Sequence, residues 1–110
     1  MTLADKTCEP CRGGVPPFTR EQIEPLLSQI NGWQVVDDTK IKKLVKTKDF
    51  MQSLDKANAI GALAEEQGHH PDLLVRWGEL GIEVWTHKVN GLTEADFVLA
   101  AKIDRLLQAD

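Results

Sequence analysis

The spacing of apolar positions along the chain predicts three helices and four strands. Apolar residues recur every three or four positions in three segments, which begin near Thr19, Asp49 and Thr93. Shorter runs of strand-like composition occupy 33–36, 41–46, 73–77 and 80–87. The predicted order is therefore α, β, β, α, β, β, α.

Local signals place the ends of these elements. Thr19 and Gln22 have the spacing of a capping box, and Asp49 is a predicted N-cap. Gly68 is the predicted stop of the second helix. In the strand 41–46 neither face is cleanly apolar, which favours a position at the edge of the sheet.

The short links between strands predict two hairpins, and each helix has one apolar stripe to bury. These constraints predict an α+β fold, a four-stranded antiparallel sheet with helices packed on one face. Such a small sheet has open edges, so we expect a homo-oligomer, either a homodimer or a homotetramer.

Composition and charge limit the partners. The 110 residues are 42% hydrophobic and fit one domain with one core. A net charge of −4 disfavours broad binding to nucleic acid or to an anionic membrane. No apolar stretch approaches a membrane span and residues 1–8 lack a signal-peptide run, so a cytoplasmic location is expected.

A C-x-x-C pair, Cys8 and Cys11, lies in a leader rich in Pro and Gly. A structural zinc site needs four ligands, and a thioredoxin-like motif lies between a strand and a helix. Neither condition is met by this pair alone. We therefore expect residues 1–17 to form a flexible leader with two reduced thiols, followed by one domain over 18–110.

The three histidines of the chain are the best candidates for chemistry. His69 and His70 follow the second helix, and His87 ends the last predicted strand. Imidazole exchanges a proton near neutral pH, so it is suited to acid-base catalysis. A polar helix exit and a three-histidine metal site are the alternatives at this point.

The motifs around these histidines carry a family resemblance. Glu65-x-x-x-His69-His70-Pro71 is followed by Trp77, by Thr86-His87 and by a Gly-Leu-x-x-x-Asp that ends at Asp96. Over residues 18–107 this pattern closely resembles the pterin-4a-carbinolamine dehydratase family, in its bacterial form.

The resemblance implies a lyase that converts 4a-hydroxytetrahydropterin to quinonoid dihydropterin and water, within tetrahydrobiopterin biosynthesis. The substrate is the carbinolamine released by aromatic amino-acid hydroxylases, which implies a functional link to phenylalanine hydroxylase. No cofactor and no metal are implied. Carried over by position, the catalytic residues are His69, His70 and His87, and substrate binding involves Glu65, His70 and Asp96.

Within that resemblance we expect a division of roles. His69 and His87 flank the C4a hydroxyl, each acting on one face of the pterin, and His70 positions the ring. Glu65 is expected to pair with His69 or with the amino-pyrimidine edge of the pterin. Asp96 lies three residues after Thr93, so it is expected to bond back to the helix start and also to orient His87.

Two functions from other classes remain as alternatives. Three histidines would suit a metal-dependent lyase or hydrolase. The chain could also be a protein-binding regulatory module, because animal members of the family are partners of a transcription factor. Trp85 and Trp77 are candidates for stacking on a pterin, although such residues more often pack in a core or an interface.

Overall fold

The structure, a computed structural model, describes residues 2–6 and 16–108. Cys8 and Cys11 lie outside the described residues. The helices and strands follow the predicted order α, β, β, α, β, β, α, with two added 3₁₀ turns, Leu3–Asp5 and His87–Val89. The regular elements are α1 (Arg20–Leu27), β1 (Gln34–Val36), β2 (Lys40–Lys46), α2 (Phe50–Gln67), β3 (Asp72–Arg76), β4 (Glu79–Val84) and α3 (Glu94–Gln108).

The four strands form one antiparallel sheet in the order β1-β2-β4-β3. Alternate side chains of the strands pack against the helices and form the hydrophobic core with them. Fully buried residues of this core include Ile41, Ile60, Ile82 and Phe97. The other sheet face is open, and Leu44 and Leu74 are exposed there. The predicted α+β fold with helices on one face is confirmed.

The edge position expected for the strand 41–46 is wrong, because β2 is paired on both sides. The occurrence of lysines on both faces of β2 has a different cause. Lys42 lies on the open face, whereas Lys43 is largely buried and its Nζ lies 2.7 Å from Oδ1 of Asp104. A core-side lysine is tolerated in a central strand because its charge is paired.

The signals read for helix ends operate as expected. The backbone N–H of Thr19 donates to Oε1 of Gln22 at the start of α1. The Asp49 carboxylate accepts from the backbone N–H of Gln52 at the start of α2. Gly68 follows α2 with φ +67°, the left-handed conformation that commonly ends a helix.

The expectation of a flexible leader is not met where residues 2–6 are concerned. Leu3 and Ala4 are buried against α3. Ala4 accepts a hydrogen bond from Nζ of Lys102, and Asp5 is paired with Arg105 at 2.9 Å. These residues are an integral part of the packed domain.

The strand expected to reach His87 ends at Val84. The chain then turns, because Thr86 and Gly91 form an isolated bridge that closes the 3₁₀ turn between them. His87 therefore lies on a turn beyond the sheet. Among the described helices, none has the length and apolar content needed to cross a membrane.

Candidate active site

His69 is placed by the end of α2. Gly68 reverses the chain, and the backbone N–H of His69 donates to the carbonyl of Ala64. The side chain of His69 is only 12% exposed, and its Nε2 lies 2.6 Å from Oδ1 of Asp96 on α3. The end of one helix and the first turn of another thus meet through a histidine–aspartate pair.

The Asp96 carboxylate has no solvent-exposed surface and is fully bonded. Its Oδ2 accepts from the hydroxyl of Thr86 at 2.8 Å and from the backbone N–H of Thr93 at 2.9 Å. The Thr86 hydroxyl uses its proton on Asp96, so in the 3.0 Å contact between the two threonines Thr93 is the donor. These hydrogen bonds to Oδ2 fix the position of the Asp96 carboxylate, so that its other oxygen, Oδ1, is held toward His69.

The network selects a tautomer for His69. Both donors to Oδ2 point their protons at Asp96, which is the environment of an accepting carboxylate. His69 therefore donates from Nε2 and keeps Nδ1 as the nitrogen that Asp96 does not engage. That nitrogen can accept a proton in the neutral ring or give one up in the protonated ring.

His70 and Glu65 form a second pair, which is exposed. Nε2 of His70 lies 2.7 Å from Oε1 of Glu65, in the last turn of α2. Their side chains are 59% and 79% exposed. Glu65 was expected to pair with His69 or the pterin, and its partner in the chain is instead His70, because His69 is taken by Asp96.

His87 is exposed and lies against the indole of Trp85, with ring centroids 4.3 Å apart and planes inclined by 13°. Its turn is tied to the Asp96 network, since Thr86 is the adjacent residue. Asp96 was expected to orient His87, and its side chain instead bonds His69 and Thr86. The influence of Asp96 on His87 is therefore through the backbone of the turn.

Two sets of contacts connect the predicted residues in the structure. One joins His69, Asp96 and Thr86, which leads directly to His87; the other joins His70 and Glu65. Thr86 and Thr93 were not predicted as parts of the site. Thr86 could have been predicted from the Thr-His motif, because a short side-chain hydroxyl next to a turn is suited to bonding a carboxylate.

The described residues contain no group of three or more His, Cys, Asp or Glu side chains placed to hold a metal ion. A cleft of about 640 Å³ lies on the open sheet face around Leu44, Gly81 and Leu74. None of the three histidines lines it. The histidines and this cleft are thus at different places.

Comparison with known proteins identifies the family of the chain. A family model described as "Pterin 4 alpha carbinolamine dehydratase" matches residues 16–106. Relatives provisionally named pterin-4-alpha-carbinolamine dehydratase occur in Rubrobacter xylanophilus, at 52% identity over 94% of this chain and 97% of the relative, and in Rickettsia bellii, at 53% identity over 96% and 94%. A crystal structure titled "transcriptional coactivator/pterin dehydratase" from Brucella melitensis is similar with a TM-score of 0.76, at 28% identity over 82% of this chain and 97% of that one.

Proposed function

The chain belongs to the pterin 4 alpha carbinolamine dehydratase family, and from that premise we propose that it dehydrates 4a-hydroxytetrahydropterin to quinonoid dihydropterin and water. The observation that carries the proposal is the buried pair of His69 and Asp96 beside the exposed pair of His70 and Glu65. One pair is built for proton transfer and the other is accessible to a substrate.

The reaction needs one acid and one base. The C4a–O bond breaks, its electron pair leaves with the hydroxyl group, and a proton from the acid completes the water molecule. The ring nitrogen next to C4a loses its proton to the base, and the C4a–N double bond forms. A positioned proton-transfer group contributes about 10²–10⁴-fold to such a step.

His69 carries one of these proton transfers in our proposal. Asp96 holds its Nε2–H, which fixes the ring orientation and leaves Nδ1 for the reaction. Asp96 was expected to bind substrate; because it is fully buried, we assign it a positioning role through His69.

His87 carries proton transfer on the other face of the pterin, and His70 positions the ring. Glu65 accepts from His70, so it orients that imidazole and adds negative charge for the amino-pyrimidine edge of the substrate. No metal or cofactor enters this scheme, because imidazoles supply both the acid and the base.

The proposed setting is the cytoplasm, where the enzyme would recycle the pterin cofactor of phenylalanine hydroxylase or another aromatic amino-acid hydroxylase. We also propose a homodimer or homotetramer. β1 and β3 are edge strands with unpaired backbone groups, and Phe50, Met51, Leu44 and Leu74 are exposed apolar side chains. Sedimentation analysis of the purified chain gives the assembly state.

A stopped-flow assay tests the function. The carbinolamine is generated by an aromatic amino-acid hydroxylase, and its decay is followed by absorbance with and without this protein. We expect acceleration proportional to enzyme concentration and unaffected by a chelator. A decay rate equal to the uncatalysed rate at all enzyme concentrations would overturn the proposal.

A further inference from the structure

Trp85 and His87 are stacked, and this contact restrains the His87 ring in a way that acid-base chemistry alone does not require. His87 is exposed and lies on a short turn. An exposed imidazole samples several rotamers, which dilutes the one that reacts. The nearly parallel indole at 4.3 Å restricts that freedom.

The indole is itself contacted by a lysine, which is in turn paired with a glutamate. Nζ of Lys40 lies 4.8 Å from the Trp85 ring centroid and 3.3 Å from Oε1 of Glu83. Because Ile41 pairs with Val84, the register places Lys40 next to Trp85 across the two central strands. The ring against which His87 packs thus lies at the paired ends of the two central strands, β2 and β4.

We infer that Trp85 is a positioning residue for His87, and that Lys40 and Glu83 hold its indole in place. This inference rests on the proposed function, in which His87 transfers a proton on one face of the pterin. The ring face that carries His87 is not available for stacking on a pterin.

The backbone of the turn and the imidazole of His87 are held by different contacts, so one can be released without the other. The backbone N–H of Thr86 donates to the carbonyl of Gly91 at 2.9 Å and closes the turn whatever side chain is present at position 85. Substitution of Trp85 therefore releases the imidazole of His87 while the backbone of the turn keeps its bridge.

The first measurement is made on the protein without substrate, by NMR of the His87 ring protons. Stacking on an indole shifts these protons upfield through the ring current. We expect the shift to disappear in Trp85→Leu and to persist in part in Trp85→Phe. Trp77→Leu removes an exposed indole in the turn between β3 and β4 and is the matched control, with His87 shifts unchanged.

The second measurement is turnover of the two C4a-hydroxyl epimers. For the epimer that depends on His87, we expect kcat to fall by about 10- to 100-fold in Trp85→Leu. The other epimer stays within about twofold, and Trp85→Phe recovers most of the loss. Lys40→Met shows a smaller loss in the same direction.

The outcomes separate this inference from the proposed function. If His87→Ala impairs one epimer and Trp85→Leu does not, the inference is overturned and the function stands. Unchanged His87 ring shifts in Trp85→Leu, or an equal loss for both epimers, also overturn it. If His87→Ala itself leaves both epimers unchanged, the role of His87 fails and this inference fails with it.

Discussion

Nε2 of His69 lies 2.6 Å from Oδ1 of Asp96, a carboxylate with no solvent-exposed surface. The other oxygen of this carboxylate, Oδ2, accepts hydrogen bonds from the Thr86 hydroxyl and from the backbone N–H of Thr93. The pair therefore has one fixed geometry, and the direction of its hydrogen bond determines which nitrogen of His69 is left for the proton transfer that we propose. In the proposed mechanism Asp96 therefore affects kcat through His69, because its buried carboxylate cannot touch the substrate.

Asp96→Asn tests that role. The amide keeps the shape of the side chain but can present its NH₂ group to His69, which reverses the hydrogen bond and selects the wrong tautomer. We expect kcat to fall by as much as about 10²-fold with KM changed little. Steady-state kinetics on the purified variant measure both constants.

Asp104→Asn is the matched control, since Asp104 is a second buried aspartate on α3, bonded to Lys43 and Trp33. Weakening that pair should lower the free energy of unfolding by about 1–3 kcal/mol without changing kcat of the folded enzyme. Equal losses of kcat in the two variants would show that Asp96 acts only through stability.

Single replacement of His69 or His87 by alanine tests the two-face mechanism. Each variant should lose about 10²–10⁴-fold in kcat/KM for one hydroxyl epimer and retain turnover of the other. The pterin carbinolamine is supplied as a mixture of epimers, and two-phase decay resolves them. Loss of the same epimer in both variants would contradict the assignment of one histidine to each face.

The elements of this fold could be predicted because their signals are local. A cap such as Asp49 and a stop such as Gly68 act within one helical turn, so the sequence contains the full cause. The central position of β2 could not be predicted from its own residues. Lys43 is acceptable in a core-facing position only because Asp104, 61 residues away, pairs with it.

The sequence named the histidines, Glu65 and Asp96 as candidates, but it did not indicate all of the contacts between them. The histidines and Asp96 come from a motif, but which carboxylate meets which imidazole depends on the angle between α2 and α3. Asp96 was expected to orient His87, and it reaches His69 because the strand ends at Val84 and the chain turns before His87. Tertiary geometry of this kind has no local sequence signal.

Glu65→Gln tests the exposed pair. Glutamine keeps the side-chain length but removes the charge that holds His70. Because exposed ion pairs contribute modestly, we expect KM to rise by about 2- to 5-fold with kcat within about twofold. Glu66→Gln removes an adjacent exposed charge and is the control; a similar rise in KM there would indicate a general charge effect.

Gly91→Ala tests how tightly the His87 turn is held. A Cβ at Gly91 would lie 2.5 Å from Cβ of Pro17, so one of the two segments must move. We expect a loss of about 1–3 kcal/mol in the free energy of unfolding, together with reduced turnover of the His87-dependent epimer. Chemical denaturation and the epimer assay measure the two effects.

Gly61→Ala is the contrasting substitution, because Gly61 lies within α2 and a Cβ there meets nothing within 4 Å. Alanine is the better helix former, so the free energy of unfolding should rise by about 0.5–1 kcal/mol with unchanged turnover. A gain in stability from Gly91→Ala as well would contradict the close approach to Pro17.

Acid should weaken the attachment of residues 2–6 to α3. Hydrogen bonds from Arg105 and then Thr2 lower the pKa of the Asp5 carboxyl from 3.8 to about 2. A group with a lowered pKa in the folded state contributes stability above its unfolded pKa, and that contribution is lost as the pH falls through the folded pKa. The stabilising effect of Asp5 should therefore be constant near neutral pH and should decline from about pH 4 to about pH 2.

Comparison of the unmodified protein with Asp5→Asn isolates this contribution. The difference between their urea midpoints should narrow as the pH falls from about 4 to about 2, because asparagine does not titrate. In an Arg105→Gln background the difference should be smaller at every pH, since Arg105 is the largest cause of the lowered pKa. A difference that stays constant down to about pH 2, or widens, would show that the pairing of Asp5 with Arg105 does not hold the 3₁₀ turn on α3.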